Sequence, residues 1–245
     1  MCPWPPWPAQ RGDTVSDVRS PGQDDVDEVD DDFDDVIDDD PDLLEPPTDA
    51  WRRRTAIEMV ISGALGLLAS FVLSIDALKL AANNDADLGC SINAVLDCSK
   101  VAQTWQAHLL GEFFPNAFLG IAAEAVVITI AVAMIGGVRF PRWYMLAAQA
   151  VYTVGFLFAY WLFYEALTDI HALCPWCLLI TVTTTLVWAG LTRINVREGH
   201  LTLPGALGPR ARRFVADGYD WFVTLGLIIA VGLIILVKYG SALFQ

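Results

Sequence analysis

Two pairs of cysteines are the residues of this chain whose type and spacing best suit chemistry. Cys174 and Cys177 are separated by Pro175 and Trp176. Residues three apart on a helix share a face, so the two sulfur atoms can meet, and the free amides of a helix N-terminus stabilise the reactive thiolate. This pair therefore predicts thiol–disulfide exchange. A static disulfide and a metal site are the alternatives, but a structural zinc ion needs four firm ligands, and the others would have to come from a separate loop.

The other pair, Cys90 and Cys98, encloses seven residues. That spacing permits either a closed disulfide or two separate thiols, so the sequence leaves open whether the pair is a structural bridge or a redox shuttle. We expect no metal ion at either pair. The fifth cysteine, Cys2, stands alone near the start of the chain and is predicted to have no function.

The elements that must position these cysteines are membrane-spanning helices. Hydrophobic residues make up 55% of the 245 residues. A spanning helix needs ~20 mainly apolar residues, because a backbone group in lipid has no water to bond. Five stretches meet this demand: Ile57–Leu78, Asn116–Gly137, Trp143–Tyr164, His171–Thr192 and Tyr219–Gly240. We predict an all-α integral membrane protein, a four-helix transmembrane bundle plus a fifth transmembrane helix.

The loop after the first span is predicted to contain one more helix. Between Ser99 and Leu110, apolar side chains recur at helical spacing: Val101, Ala102, Trp105 and Leu109. Such a short amphipathic helix can lie on the outer face of the membrane or pack on the bundle. In either position it covers the mouth of the bundle at which Cys174 and Cys177 open.

Charge is distributed very unevenly along the chain. The formal net charge is −14, yet residues 1–50 alone carry 17 acidic and only two basic side chains. Such a segment cannot bury enough apolar surface to offset its ordering entropy, so we predict a disordered acidic cytoplasmic tail over residues 1–50. It would be a solvated tether or a docking segment for a basic partner. Because the tail contains no signal peptide, the first span is expected to act as the insertion signal. Membrane lipid is the expected surrounding, and no nucleic-acid partner is expected.

Basic residues indicate the orientation in the membrane. Ten arginines flank one set of helix ends: Arg52, Arg53, Arg54, Arg139, Arg142, Arg193, Arg197, Arg210, Arg212 and Arg213. The opposite ends hold only Lys79, Lys100 and Lys238. By the positive-inside rule the N-terminus is cytoplasmic and both cysteine pairs lie outside. The predicted organisation is a tail over residues 1–50, a redox bundle over 51–192, a cytoplasmic loop over 193–218, and a fifth helix with an outer C-terminus over 219–245.

The arrangement of these residues resembles the vitamin K epoxide reductase family, including its bacterial members that make disulfides by using a quinone. The resemblance covers residues 55–192 and rests on four features. These are the spaced cysteine pair, Cys98-Ser99-Lys100 before a half-helix, Asn116 within Pro115-Asn116-Ala117-Phe118-Leu119-Gly120, and the Cys-x-x-Cys that opens the fourth span. Another family of quinone-linked thiol oxidases also has two outer cysteine pairs, but there the Cys-x-x-Cys comes first.

The resemblance implies a role for each cysteine. Cys90 meets the thiol partner, Cys98 exchanges with Cys174, and Cys177 faces the quinone. On a helix Cys177 also lies ~5 Å deeper than Cys174, nearer to the lipid in which a quinone dissolves.

The resemblance implies a quinone site as well. Asn116 matches the family's quinone-binding asparagine at the start of the second span. Thr181 stands four residues beyond Cys177, where animal members carry a tyrosine that hydrogen-bonds the quinone. Because the threonine hydroxyl is shorter, this chain departs from the family pattern there.

We therefore predict a thiol oxidase of a bacterial plasma (inner) membrane. It passes electrons from a thioredoxin-like protein through both cysteine pairs to menaquinone or ubiquinone, and so supports disulfide formation in secreted proteins. Many bacterial relatives continue from the fifth helix into a thioredoxin-like domain, whereas this sequence ends at Gln245, so we expect a separate partner on the outer side. The alternatives are a non-enzymatic membrane scaffold with disulfide-stapled outer loops, and a quinone or epoxide reductase with another thiol donor.

Other side chains are weaker candidates. Glu124 lies about two turns into the second span, where an ionisable group is costly and therefore handles protons or pairs with a neighbouring helix. His171 could stabilise the Cys174 thiolate or anchor the helix at the interface. Five aromatic residues could wall a quinone pocket or belong to an interfacial belt: Trp105, Phe113, Phe114, Phe118 and Trp161.

Overall fold

The computed structural model describes residues 47–83, 86, 88–91, 95–109, 111 and 114–243. Cys2, Phe113, Gln245 and most of the predicted acidic tail lie outside these residues. The described helices are α1 (Asp49–Ala82), α2 (Cys98–Ala102), α3 (Asn116–Ile135), α4 (Arg142–Glu165), α5 (Pro175–Arg197), α6 (Leu207–Ala216) and α7 (Tyr219–Leu243). Of these, α1, α3, α4, α5 and α7 are long and apolar enough to cross a membrane. The predictions of an all-α fold and of five membrane-spanning helices are confirmed.

Proline and glycine set several of the helix ends. Pro115 and Pro141 directly precede α3 and α4. Pro175 is the first residue of α5, where its missing N–H removes no helical hydrogen bond. The turn between α3 and α4 needs a positive φ, and Gly137 supplies it with a φ of 88°.

The start of the fourth span differs from the prediction. α4 continues as a π-helical turn over Ala166–Ile170, and this turn ends at His171, whose φ of 54° is left-handed. A left-handed residue cannot continue a right-handed helix, so α5 begins at Pro175 rather than at His171. The cysteine pair therefore stands at the very tip of α5, with Cys174 as its N-cap residue.

α1 is the central helix of the bundle. It begins at Asp49 rather than at the predicted Ile57, because the Thr48 hydroxyl caps an additional polar turn by accepting a hydrogen bond from the Trp51 N–H. α1 packs against α3 on one side and α5 on the other, and α4 packs against α5. The backbones of α3 and α4 approach each other closely at few points.

Glycines permit the close approach of the helices around α1. A Cβ atom on Gly66 would lie 2.5 Å from Glu124 Oε1, and one on Gly120 would lie 2.4 Å from Ser70 Oγ. Small residues at such contacts allow backbones to approach in a membrane, where packing replaces the hydrophobic effect as the force between helices.

The two ends of the bundle differ in character. The arginine end comprises the start of α1, the α3–α4 turn and the end of α5; the cysteine end is opposite. At the arginine end, buried Arg52 pairs with Glu198 at 2.7 Å. Buried Arg193 pairs with Glu58 on α1 at 2.8 Å and also with Asp220 on α7. Two of the arginines that indicated the orientation therefore also hold helices together.

α6 and α7 complete the chain beyond the four-helix bundle. Residues 193–218, predicted as a loop, contain α6 and the last turn of α5. α7 packs against α5 and α6. Near the cysteine end its Val231 is buried against Phe163 and Leu173, and Lys238 donates a hydrogen bond to the Leu167 carbonyl. The fifth spanning helix thus supports the segment that leads into Cys174.

Candidate redox site

The structure brings the two cysteine pairs into contact. Cys90 and Cys98 form a disulfide, with their Cα atoms 5.7 Å apart. Cys174 and Cys177 are free thiols. The Sγ atoms of Cys98 and Cys174 lie 3.4 Å apart, and both side chains are buried. At this distance a thiolate on one pair can attack the disulfide of the other.

A short backbone bridge aligns the two contacting sulfur atoms. Leu96 and Leu173 form an isolated parallel β-bridge. The Asp97 N–H donates to the Leu173 carbonyl at 3.0 Å, and the Leu173 N–H donates to the Val95 carbonyl at 2.7 Å. Because a contacting cysteine follows on each side of the bridge, the bridge fixes the separation of the two sulfurs through backbone geometry.

Asp97 fastens the disulfide loop. Its carboxylate accepts hydrogen bonds from the Ser91 hydroxyl at 2.7 Å and from the N–H groups of Ser99 and Lys100 at 3.0 and 3.2 Å. The hydrogen bond from Ser91, together with those from the two amides, holds the pKa of the Asp97 carboxyl below its ordinary value. Ser91 and Asp97 adjoin the two bonded cysteines, so this contact closes the same ring as the disulfide.

Cys174 occupies the N-cap position, just ahead of α5. Its Sγ accepts a hydrogen bond from the Cys177 N–H at 3.4 Å. Hydrogen bonding from the Cys177 thiol, supported by the first amides of the helix, lowers the pKa of the Cys174 thiol below its ordinary value in spite of burial. Cys174 is therefore the better nucleophile of this pair, and it is also the one that contacts Cys98.

A carboxylate that the sequence analysis did not single out adjoins the disulfide. Asp76, near the end of α1, is buried, with its Oδ2 3.8 Å from Cys90 Sγ. Lys79, one turn later, pairs with Asp76 at 3.2 Å. An acidic residue within an apolar span was the available signal, but its sequence distance from Cys90 concealed the contact.

Residues 98–109, called the cap below, cover the cysteine end. The prediction of one continuous amphipathic helix over Ser99–Leu110 is wrong. The cap consists of α2 and a separate 3₁₀ turn, Trp105–His108. The helix breaks because the Thr104 hydroxyl bonds back to the Val101 carbonyl at 2.8 Å. Beyond the break the chain turns Gln106 inward, where it is only 1% exposed.

Gln106 fixes the cap to the end of α4. Its Nε2 donates hydrogen bonds to Glu165 at 3.2 Å and to Asp169 at 3.1 Å. Trp105, predicted to belong to the apolar face, is instead 64% exposed. Its ring contacts that of Trp161 in a tilted arrangement, with 6.0 Å between the ring centroids. A buried amide with two carboxylate acceptors therefore outweighs the apolar periodicity in setting the orientation of this segment.

A cavity of about 940 Å³ lies beneath the cap. Its walls come largely from α3 and α4, and Cys174 and Cys177 reach it from the tip of α5. The lining is mainly apolar, with Glu124 and Tyr152 among its few polar groups. Exposed residues of both helices line it, among them Val126 on α3 and Val151 on α4, so the cavity opens between these helices toward the lipid-facing surface of the bundle.

A model of the vitamin K epoxide reductase family matches residues 57–191, more than half of the chain. The chain belongs to the vitamin K epoxide reductase family. No curated protein and no solved structure matches it. Family members are oxidoreductases whose membrane thiol–disulfide chemistry involves quinones, so this member is a multi-pass membrane oxidoreductase.

The residues that match the quinone contacts of the vitamin K epoxide reductase family line the cavity, but both have other partners. Asn116 donates from Nδ2 to the Gln106 carbonyl at 2.6 Å, and its Oδ1 accepts from the Leu109 N–H at 3.2 Å. It thus ties α3 to the cap, and one N–H of its amide has no acceptor among the described residues. The Thr181 hydroxyl donates to the Cys177 carbonyl at 3.0 Å, so its hydrogen is already used.

Of the weaker candidates from the sequence, Glu124 lies at the cavity, whereas His171 and the described aromatic residues do not. Glu124 accepts a hydrogen bond from Tyr152 inside the cavity. His171 is exposed, and its Nδ1 contacts the Asp169 carbonyl at 2.9 Å rather than a cysteine. The four described aromatic residues do not line the cavity: Trp105, Phe114, Phe118 and Trp161. The described part of the chain contains no cluster of His, Cys, Asp and Glu that could hold a metal ion.

Proposed function

We propose that this family member is a thiol oxidase that takes electrons from a thioredoxin-like protein and delivers them to a membrane quinone. The observation that carries this proposal is the 3.4 Å contact between Cys98 and Cys174. It links the pair in the loop with a pair that lines a membrane cavity. A scaffold with stapled loops would need neither a contact between the pairs nor free thiols beside a cavity.

Electrons and protons balance at every step of the relay. A partner dithiol attacks the Cys90–Cys98 disulfide at Cys90, and after exchange the partner holds the disulfide and the loop holds two thiols. With Cys174 and Cys177 disulfide-bonded, the Cys98 thiolate attacks Cys174 and releases Cys177. Cys90 then attacks Cys98, which frees Cys174 and restores the loop disulfide. The electrons now lie on Cys174 and Cys177, the arrangement in which the structure holds the four cysteines.

The cavity suits a quinone in size and in lining. Its volume of about 940 Å³ lies near the top of the range of roughly 300–1,000 Å³ for small-molecule sites. A bound quinone accepts the two electrons and two protons that the dithiol loses. Cys177, at the cavity wall, is placed to transfer them, and the remaining Asn116 N–H is placed to hold a ring oxygen. The gap between α3 and α4 leaves a route for a prenyl tail. Menaquinone and ubiquinone both meet these demands.

Access to the loop pair sets a requirement on the partner. Cys90 is only 7% exposed in its disulfide, although the adjacent Gly89 is exposed. A partner thiolate reaches Cys90 only when this part of the loop moves, and the Ser91–Asp97 hydrogen bond resists that movement. We infer a separate thioredoxin-like protein whose docking opens the loop.

The distribution of arginines supports an orientation with the cysteine end outside the cytoplasm. Positive residues favour the cytoplasmic side, and the arginine end carries most of them. Thiol oxidation suits an oxidising outer compartment. We therefore place the chain in a bacterial plasma membrane, with its N-terminus in the cytoplasm.

The test is quinone reduction by the purified chain in lipid nanodiscs. With a reduced thioredoxin-like protein as donor, the wild type should reduce a short-chain quinone, as followed by absorbance. Cys90→Ser should lose this activity but keep quinone reduction driven by dithiothreitol, which can reach Cys174 and Cys177 directly. Cys177→Ser should lose both activities. If the wild type reduces no quinone and its Cys90–Cys98 disulfide is not reduced by the partner, the result supports a non-enzymatic scaffold and contradicts the electron relay.

A further inference from the structure

Glu124 is a buried acid in the middle of the membrane whose partner is neutral. The side chain, on α3, is 4% exposed. Its Oε2 accepts one hydrogen bond, from the Tyr152 hydroxyl on α4, at 2.7 Å. No ion pair within the described part of the chain includes it. Because an ionised carboxylate in lipid needs a cation or several donors, these surroundings suit a carboxyl that holds a proton.

The central helix leaves room for this carboxyl. A Cβ atom on Gly63 would lie 3.4 Å from Glu124 Oε2. A Cβ atom on Gly66 would lie 2.5 Å from Glu124 Oε1 and 3.0 Å from Thr183 Oγ1. The two glycines that adjoin the carboxyl and the Tyr152 hydroxyl bonded to it carry no charge. The two glycines thus leave the space on α1 that the Glu124 side chain occupies.

Glu124 and Tyr152 also lie where a ring in the cavity could reach them. Both line the same cavity as Cys177. Glu124 follows Asn116 by eight residues, which places it ~12 Å deeper along α3 at 1.5 Å per residue. The cavity therefore has a thiol and an amide toward the cap, and an acid further inside. Thr181 cannot supply the deeper proton, because its hydroxyl hydrogen is bonded to the Cys177 carbonyl.

We propose that Glu124, held by Tyr152, is the catalytic acid that protonates the deeper oxygen of the quinone. This inference rests on the proposed function. When Cys174 and Cys177 become a disulfide, they release two electrons and two protons. Glu124 donates its own proton to the deeper oxygen and becomes a carboxylate, and the other oxygen takes one of the thiol protons. The second thiol proton returns to Glu124, so the protein is unchanged in charge after the cycle.

The test compares Glu124→Gln with Glu124→Asp in nanodiscs. Glutamine keeps the size and can still accept the Tyr152 hydrogen bond, but it cannot donate a carboxyl proton. General acids contribute ~100- to 10,000-fold to rates. Glu124→Gln should therefore slow menadione reduction by dithiothreitol at least ~100-fold, and aspartate should restore part of the rate. Menadione affinity, measured by quenching of tryptophan fluorescence, should be unchanged in Glu124→Gln.

A second readout needs no quinone. The infrared spectrum of the wild type should contain the C=O stretch of a protonated carboxyl that Glu124→Gln lacks, and Tyr152→Phe should shift this band. A purely structural role predicts lower thermal stability in Glu124→Gln with an unchanged turnover number per folded molecule. If Glu124→Gln does not fold, Tyr152→Phe is measured instead. Slower menadione reduction and a shifted carboxyl band in Tyr152→Phe support the role of Glu124, and no change in either contradicts it.

The outcomes separate this inference from the function on which it rests. Normal menadione reduction by Glu124→Gln, or a wild type without the carboxyl band, overturns the role of Glu124 and leaves the thiol oxidase intact. A wild type that exchanges disulfides with its partner but reduces no quinone overturns the proposed function, and the catalytic acid with it.

Discussion

The contact between Gly66 and Glu124 gives the sharpest test of the bundle geometry. Replacing Gly66 with alanine adds one methyl group to α1. That carbon would lie 2.5 Å from Glu124 Oε1, 2.8 Å from its Cδ and 3.0 Å from Thr183 Oγ1. None of these atoms is the free end of an exposed side chain. Moving the carboxyl aside would strain its 2.7 Å hydrogen bond with Tyr152.

The expected cost follows from these contacts. Overpacking of a close-packed interior costs ~1–3 kcal/mol. Weakening the hydrogen bond to Glu124 adds about 1 kcal/mol. Alanine is favoured over glycine in a helix by ~0.5–1 kcal/mol, which offsets part of this. We therefore expect Gly66→Ala to lower the free energy of unfolding by ~1–3 kcal/mol.

Unfolding in mixed micelles with increasing fractions of sodium dodecyl sulfate, followed by circular dichroism, measures this change. Gly232→Ala is the control, because a Cβ there meets no atom within 4 Å, and it should be neutral or slightly stabilising. In a Glu124→Ala background the space opens, so Gly66→Ala should lose most of its cost. If Gly66→Ala lowers the free energy of unfolding equally in the wild type and in Glu124→Ala, the contact is refuted, because substitutions at residues in contact are coupled.

Three further outcomes are expected. In Cys177→Ser, Cys174 should capture Cys98, giving a mixed disulfide visible by mass spectrometry without reductant; a retained Cys90–Cys98 disulfide would contradict the relay. Asp97→Ala removes the cap of α2, so it should lower unfolding free energy by ~0.5–2 kcal/mol at neutral pH. Because the Asp97 carboxyl has a lowered pKa in the fold, its stabilisation disappears as pH falls through that pKa, and thermal unfolding curves of the two proteins should converge in acid. Asn116→Ala should slow quinone reduction ~10- to 100-fold for one lost ligand hydrogen bond; an unchanged rate would remove it from the site.

The family and the fold were accessible to sequence reasoning because their signals are local. An apolar run that can cross a bilayer predicts its own helix, since lipid leaves the backbone no other partner. The Cys174-Pro175-Trp176-Cys177 motif predicts redox chemistry because its geometry lies within a single helical turn. Helix boundaries were less predictable: the π-helical turn and left-handed His171 that move the start of α5 depend on packing at the cysteine end.

The cap shows why periodicity alone misleads in a short segment. Apolar spacing predicted one helix with Trp105 on its apolar face. In the fold, Gln106 turns inward because Glu165 and Asp169 offer it two acceptors, and these lie about 60 residues away in sequence. A hydrogen bond to a carboxylate stabilises by ~1.5–3 kcal/mol, comparable with burying a large apolar side chain. Sequence spacing contains no information about such distant acceptors.

The sequence by itself determined the five spans, the two cysteine pairs and the likeness to a quinone-linked family, because each depends on residues close together in the chain. Only the tertiary structure decided that Cys98 contacts Cys174, that Asp76 adjoins Cys90, and that Tyr152 donates a hydrogen bond to Glu124 at the cavity wall. Each of these contacts joins segments that are distant in sequence. Their meeting depends on how α1, α3, α4 and α5 pack, and helix packing is set by the combined shapes of many side chains rather than by any local pattern.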